Sequence, residues 1–353
     1  MNYLTSLRGI AALLVVLFHT KHHIAESEWL SFLYPVVSNG YLAVDFFFLL
    51  SGFILAFKYH KEFSEHPQQG YTAFIIKRLA RIYPLHFFVM LGYLGVPAAI
   101  YVLKGHAGTF TFDSYIVKLF LIDLWLINHQ YWQTWNVPSW TISGELFAYM
   151  LFPIAIFLIQ KLPVYVRLIS PLIIFSILAA SYGYFDYDSI GEGIGRLGLI
   201  RCLSQFSVGI FIYFIWQEFG TKFSLTVASV FFPLILVGSW FYSLPNYCYV
   251  PAAFALLLLM SISTNSYLHS ILNTRPLVYL GDISYSVYLT HALIGEFFFR
   301  IMLENDEHAN ELLLISYTGI VILTSAITHK LVENYFRRKI IEKFISKESI
   351  IRK

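Results

Sequence analysis

The chain has 353 residues, of which 58% are hydrophobic and 18% aromatic, and only 13% are charged. A soluble domain of this length would carry about twice that share of charged residues, so composition excludes an ordinary soluble protein and predicts a membrane protein. The net charge of +3 is small and gives no indication of nucleic-acid binding.

Apolar runs long enough to cross a bilayer recur along the whole chain. They cover residues 6–24, 39–58, 82–103, 144–160, 166–183, 197–216, 223–241, 246–262, 281–302 and 311–329. The predicted fold is therefore all-α, a polytopic membrane bundle of about ten transmembrane helices. No segment between the runs is large enough to fold separately. We expect a single membrane domain, 1–353, without a fused extracytoplasmic domain.

Basic residues between the runs predict which loops face the cytoplasm. The segment 58–81 and the tail after residue 329 are rich in lysine and arginine, whereas 183–192 and 303–311 are acidic. These assignments place both termini in the cytoplasm. They also require an eleventh run, 114–129, to begin and end on the outer side, so we expect it to be re-entrant or half-buried.

The first run contains two ionisable residues, Arg8 and His19. Eleven helical residues span about 16 Å and return to within about 20° of the same face, so the cation and the imidazole are aligned. Ionisable groups within a membrane are costly and usually serve a site or a pathway. The alternative is an interfacial arginine and a core histidine that hydrogen-bonds to a neighbouring helix.

Two further runs carry a carboxylate toward their expected outer ends. Asp45 lies about 9 Å below the outer start of the second run, where we expect it to reach His19 and orient the imidazole. It could equally hydrogen-bond a helix end. Glu145 opens the run that begins at residue 144, and its alternative is a first-turn acid favoured by the helix dipole.

Arg78 and Arg81 stand at the expected cytoplasmic entry to the third run. At i and i+3 they share one helix face, and two guanidinium groups so placed can grip phosphate oxygens. Basic residues at this position also serve merely to fix orientation and to meet anionic lipid.

The ninth run, 281–302, carries a stripe of polar residues along one helix face. Its members are Ser284, Tyr288 and His291, at i, i+4 and i+7. In the predicted topology His291 lies at about the same depth as His19. Stripes of this kind often only join helices to one another.

These motifs together resemble acyltransferase family 3, the integral-membrane acyltransferases that modify surface polysaccharides, lipids and small molecules. The resemblance covers essentially the whole chain. It rests on Arg8 and His19 with ten intervening residues, VDFFFLLSGF from Val44, RLARIYP from Arg78, SWTISGE from Ser139 and SYSVYLTH from Ser284. One departure is Asn334, which follows Glu333 close to where a proline is expected; we expect Glu333 to pair with the arginines after it.

The resemblance implies a reaction and a set of roles. The donor would be acetyl-CoA or another acyl-CoA, with its phosphates held by Arg8, Arg78 and Arg81. His19 would act as the general base or carry the acyl group transiently. Asp45 or Glu145 would orient it or contact the sugar. The oxyanion or the acceptor would be held by Ser284, Tyr288 and His291.

The implied acceptor is a hydroxyl of a surface polysaccharide or glycolipid, modified at the cytoplasmic (inner) membrane, with a separate periplasmic partner as one way to complete the transfer. No cysteine–histidine cluster has the spacing of a metal site, so we expect no metal. Two alternatives stay open from the residues alone. One is a proton-coupled transporter or flippase of a lipid-linked sugar, and the other is a non-catalytic scaffold of a polysaccharide export assembly.

Overall fold

The computed structural model describes residues 2–64, 68, 70–98, 110–125, 131–263, 267–302 and 311–345. These residues form helices and turns, and no strand occurs among them. The longer helices are α1 Asn2–His19, α2 Ala43–Phe63, α3 Tyr71–Tyr93, α4 Phe112–Leu119, α5 Ser139–Ile159, α6 Val164–Tyr184, α7 Ile194–Phe241, α8 Asn246–Ser263, α9 Arg275–Asp282, α10 Ser284–Met302, α11 Glu311–Thr328 and α12 Tyr335–Phe344. Shorter helices are Lys21–Glu26, Tyr34–Val37 and Tyr267–Leu272, and a π-helix, His329–Asn334, joins α11 to α12.

Membrane-spanning length and apolar composition are the main features of this fold. Within the part of the chain that the structure describes, nine helical segments are long and apolar enough to cross a membrane. Each corresponds to one of the predicted runs, and together they confirm an all-α, multi-pass membrane protein. The remaining predicted run, 281–302, forms α10, which is not one of the nine.

The described residues of the eleventh run, 114–125, do not form a full span. The helix among them is α4, whose eight residues extend about 12 Å, far short of the roughly 30 Å hydrocarbon layer. Residues 126–129 of this run lie outside the described residues, as do 303–310 of the acidic loop. The orientation of the termini stays a prediction.

Helix α7 contains a break that the sequence places correctly. Gly220 has φ 73° and ψ −175°, a conformation open to glycine and strained for other residues. Two stretches of α7, Ile194–Lys222 and Ser224–Phe241, are each long and apolar enough to cross a membrane, and Gly220 lies close to where they meet. The predicted runs 197–216 and 223–241 have their gap at the same place.

The chain divides into two compact units. The first unit comprises Met1–Ala43, Thr72–Ser143 and Asn273–Lys353, and the second comprises Val44–Tyr71 and Gly144–Leu272. The predicted single domain therefore stays a prediction, and each unit is described separately below.

In the first unit, α1 packs against α9 and α10, and α10 packs against α11. Two glycines permit the contact between α1 and α9. A Cβ on Gly9 would lie 2.6 Å from the backbone nitrogen of Gly281, and a Cβ on Gly281 would collide with the carbonyl oxygen of Thr5. The backbones of the two helices therefore touch, and this contact sets the position of α1 against the start of α10.

In the second unit, α7 packs against α6 and α8. Helix α2 also contacts α7 through glycines that allow the two backbones to touch. A Cβ on Gly52 would collide with the carbonyl oxygen of Phe206, and a Cβ on Gly209 would collide with that of Leu49. Small residues at these positions let two apolar helices approach closely enough for their polar side chains to pair.

Candidate active site

Two side-chain pairs join α1 to α10 in the first unit. Arg8 Nη2 donates to Ser284 Oγ at 3.3 Å, and the ring centroids of His19 and His291 lie 4.8 Å apart at an interplanar angle of 59°. Arg8 precedes His19 on α1, and their partners Ser284 and His291 come in the same order on α10, so the two helices run parallel. The structure thus brings together four of the residues that the sequence singled out.

The His19 ring is held by its own helix. Its Nδ1 lies 2.9 Å from the carbonyl oxygen of Val15, and since a carbonyl only accepts, Nδ1 carries the proton. The basic lone pair is therefore on Nε2. The residue is exposed, although Phe18 packs edge-on against the ring.

His291 is completely buried, and its Nδ1 lies 2.7 Å from the carbonyl oxygen of Tyr288. The Tyr288 hydroxyl has partners of its own, because it lies 3.0 Å from Thr141 Oγ1 and donates to the carbonyl oxygen of Pro138 at 3.3 Å. The predicted stripe on α10 therefore exists, and its members hold neighbouring segments of the first unit. Their contact with an oxyanion or an acceptor stays a prediction.

Asp45 belongs to the second unit and has a different partner from the one expected. Its two carboxylate oxygens accept from Arg201 Nε at 2.8 Å and from Arg201 Nη2 at 2.6 Å. Gln205 adds a weaker contact at 3.4 Å. All three residues are buried. Within the second unit both oxygens of Asp45 bind Arg201, and within the first unit Val15 orients the Nδ1 of His19. The role of Asp45 toward His19 stays a prediction.

Glu145 also lies in the second unit, where Ser51 Oγ donates to its Oε1 at 2.5 Å. Helix α5 begins at Ser139, so Glu145 lies beyond the first turn and the interpretation as a first-turn acid is wrong. The three predicted catalytic residues are thus divided, with His19 in the first unit and both carboxylates in the second.

Arg78 and Arg81 lie three residues apart on α3, as predicted. Arg78 is buried, and its guanidinium carbon lies 5.7 Å from the centroid of the Phe74 ring. Arg81 is half-buried. Their binding of donor phosphates stays a prediction.

A buried ion pair in the first unit was missed. Lys118 Nζ lies 2.9 Å from Asp123 Oδ2, and neither side chain is exposed. Lys118 also donates to Ser139 Oγ at 3.3 Å, and its carbonyl accepts from His86 Nε2 at 2.9 Å. Burial lowers the pKa of Lys118, and the charge of Asp123 opposes that shift. The available signal was two opposite charges five residues apart in one apolar run.

Glu333 lies in the π-helix and is nearly fully buried. Its Oε2 is 2.9 Å from His329 Nδ1 and accepts from Ser286 Oγ at 3.2 Å. The partners of Glu333 among the described residues are therefore His329 and Ser286, whereas we expected the arginines that follow it. The wider π-turn is a geometry that hydrophobic periodicity does not reveal.

The fold and these side chains define a multi-pass membrane protein in which an arginine and an accessible imidazole share one helix. Residues 1–329 match the family described as "Acyltransferase domain". The chain belongs to this family, which confirms the resemblance to acyltransferase family 3, and it is a membrane acyltransferase.

Curated relatives have the same enzyme class. The chain is 26% identical to the acyltransferase MdmB of Streptomyces mycarofaciens, over 94% of this chain and 90% of MdmB. It is 25% identical to the putative membrane-bound transacylase BcsY of Komagataeibacter xylinus, over 81% and 70%. It is 22% identical to the O-acetyltransferase OatA of Staphylococcus aureus, over 95% of this chain and 57% of OatA. No solved structure matches the chain.

Proposed function

We propose that this protein transfers an acyl group, of which acetyl is the simplest, from acyl-CoA to a hydroxyl of a surface polysaccharide or glycolipid. The reaction takes place at the cytoplasmic (inner) membrane. The observation that carries the proposal is the state of His19, whose Nδ1 proton is committed to Val15 and whose Nε2 is left as a base on an exposed ring.

An accessible neutral imidazole suits acyl transfer to an alcohol. A sugar hydroxyl is too weakly acidic to attack a thioester unaided, and a positioned general base typically contributes a factor of about 10²–10⁴ in rate. His19 Nε2 takes the hydroxyl proton while the oxygen attacks the thioester carbon. The carbon–sulfur bond then breaks, and the proton passes to the sulfur of CoA. The same nitrogen could instead carry the acyl group between two such steps.

Three arginines, Arg8, Arg78 and Arg81, support acyl-CoA as the donor. Acyl-CoA carries phosphates, which guanidinium groups bind with charge-assisted hydrogen bonds. Arg78 and Arg81 share a face of α3, and Arg8 lies on the same helix as the proposed base. An acyl-CoA made in the cytoplasm would meet these residues at the expected inner ends of α1 and α3.

The acceptor is proposed from the relatives. OatA is named an O-acetyltransferase, which supports an acetyl group and a hydroxyl acceptor, and MdmB and BcsY are named an acyltransferase and a transacylase. The chain spans 57% of the length of OatA. For an acceptor on the outer side, the proposal includes a separate periplasmic partner.

The test is an acyl-transfer assay with His19→Ala in detergent or proteoliposomes. We expect release of CoA from radiolabelled acetyl-CoA to fall at least 10²-fold, as loss of a general base predicts. His22→Ala is the matched control, because His22 is an exposed histidine three residues further along and should leave turnover unchanged. Folding of both variants is checked by size-exclusion chromatography.

Two results would overturn the proposal. Undiminished turnover by folded His19→Ala would exclude the mechanism, and a wild-type protein that never consumes acyl-CoA would exclude the donor. Mass spectrometry of surface glycans from a deletion strain and its parent identifies the acceptor. A transporter would instead move a sugar without consuming acyl-CoA.

A further inference from the structure

We infer that His291 is the proton partner of His19, a positioning residue that accepts a hydrogen bond from the imidazolium form of His19 during acyl transfer. The inference rests on the proposed function and goes beyond it, because it gives His291 a role toward the base rather than toward the oxyanion or the acceptor. The centroids of the His19 and His291 rings are 4.8 Å apart.

The protonation pattern of the two rings is fixed by the backbone. His19 Nδ1 lies 2.9 Å from the carbonyl oxygen of Val15, and His291 Nδ1 lies 2.7 Å from that of Tyr288. Carbonyl oxygens accept hydrogen bonds and never donate them, so each neutral ring carries its proton on Nδ1. Each ring therefore presents a lone pair on Nε2.

Two lone pairs cannot hydrogen-bond to each other, so the neutral pair lacks a proton between the rings. His291 Nε2 is buried and has no hydrogen-bond partner among the residues that the structure describes. A buried polar atom without a partner is destabilising, and such atoms in a folded protein require an explanation. A histidine that served only to join helices would be expected to use both nitrogens.

One added proton can convert this arrangement into a hydrogen bond. When His19 Nε2 gains a proton, the imidazolium becomes a donor, and the inferred acceptor is the lone pair of Nε2 on the His291 ring, whose centroid lies 4.8 Å from that of His19. The charge is then shared with a second ring inside a segment where an isolated cation is costly. The unpartnered nitrogen of His291 is thus explained as an acceptor that is used only in the reacting state.

A residue outside the histidine pair helps to fix the position of His291. Tyr317 on α11 donates its hydroxyl proton to the carbonyl oxygen of His291 at 2.9 Å. Across the pair, the backbone contact of Gly9 with Gly281 fixes α1 against the segment that precedes α10. Both rings are therefore placed by packing and hydrogen bonds that are independent of substrate.

The acceptor O–H bond breaks and the Nε2–H bond of His19 forms as the acceptor oxygen bonds to the thioester carbon. His291 Nε2 accepts a hydrogen bond from this proton while the tetrahedral intermediate exists. The carbon–sulfur bond then breaks, the proton passes to the thiolate sulfur, and both rings return to their neutral forms.

The test uses the full-length protein with His291→Asn. The asparagine amide can still donate to the carbonyl oxygen of Tyr288, but it has no basic nitrogen at the position of Nε2. We expect kcat to fall by about 10–10²-fold, a part of the 10²–10⁴ that a general base contributes. The KM for acyl-CoA should stay within about twofold, since the donor contacts are elsewhere.

A matched control and a double variant separate this role from a structural one. Thr290→Val changes a buried polar neighbour on the same helix, whose hydroxyl donates to the carbonyl oxygen of Ser286, and should leave kcat unchanged. The pair His19→Ala and His291→Asn should lose no more activity than His19→Ala alone, because His291 acts through His19. A packing role would slow the two backgrounds by equal factors.

Each outcome decides one claim. If His19→Ala is inactive and His291→Asn turns over like wild type, the inference is wrong and the proposed function stands. Equal losses from His291→Asn in both backgrounds would also overturn the inference. Full turnover by His19→Ala would overturn the proposed function and this inference together.

Discussion

Two buried ionisable side chains, Asp45 in the second unit and His291 in the first, are in opposite states. In the second unit, the Asp45 carboxylate is bound through both oxygens by Arg201. In the first unit, His291 leaves a buried nitrogen without a partner among the described residues, next to the exposed ring of His19. A fully paired charge has little capacity to take part in a reaction, whereas an unpaired lone pair is available for a proton.

This difference assigns different tasks to residues that look alike in the sequence. Asp45 and His19 are both ionisable residues in apolar runs, and both were expected at the site of chemistry. The contacts indicate that Asp45 fixes α2 against α7, while His19 keeps its basic nitrogen available. Burial with a complete set of partners favours structure, and burial with an incomplete set favours function.

The largest loss of stability is expected from leaving the buried Asp45 carboxylate of the second unit without its charged partner. Arg201→Met removes the partner of a buried carboxylate, which should lower stability by about 3–5 kcal/mol. The measurement is the thermal unfolding midpoint in detergent. The double variant Asp45→Leu with Arg201→Met should recover most of the loss, because replacing both charges by apolar groups removes the stranded ion. A single variant as stable as wild type would show that the pair does not hold the unit together.

A smaller effect is expected from separating the helices that carry the histidine pair. Gly281→Ala places a Cβ against the carbonyl oxygen of Thr5, and overpacking of this kind costs about 1–3 kcal/mol. The unfolding midpoint and acyl-CoA turnover should both fall, since α1 must move away from α9. Gly319→Ala is the control, because no atom lies within 4 Å of its added Cβ and the helix gains propensity. Equal behaviour of the two variants would contradict the proposed role of the contact.

The smallest effect concerns donor binding by the first unit. Arg81→Gln should raise the KM for acyl-CoA about tenfold, because a charge-assisted hydrogen bond contributes about 1.5–3 kcal/mol. Steady-state kinetics at saturating acceptor measure the change. Lys77→Gln, four residues earlier on the same helix, should change KM less than about twofold if the effect is specific rather than a loss of general positive charge. A similar rise in both variants would favour a role in orientation or lipid contact.

Local periodicity predicted a large part of this molecule. The apolar runs anticipated the spans that the described residues form, and the gap in the predicted runs anticipated the break at Gly220. The depth estimate placed His291 at about the same depth as His19, and the structure brings those rings together. These predictions succeeded because they depend on rise and rotation per residue, which a helix fixes within its own length.

Partners between distant segments could not be predicted in this way. Asp45 and Arg201 are 156 residues apart, and Ser51 and Glu145 are 94 apart. Helix geometry gives the face and the depth of a side chain, but many helices present polar groups at similar depths. Which of them meet depends on close contacts such as that of Gly52 with Phe206, and a single sequence does not reveal those contacts.

The sequence by itself determined that this protein is helical, crosses the membrane many times and aligns Arg8 with His19, because hydrophobicity and helical periodicity are properties of each segment alone. Only the tertiary structure decided that Asp45 is bound by Arg201 and that a buried nitrogen of His291, beside His19, has no hydrogen-bond partner among the described residues. Hydrogen bonds and ion pairs depend on the distance and angle between atoms of different helices, and those quantities exist only after the helices have packed.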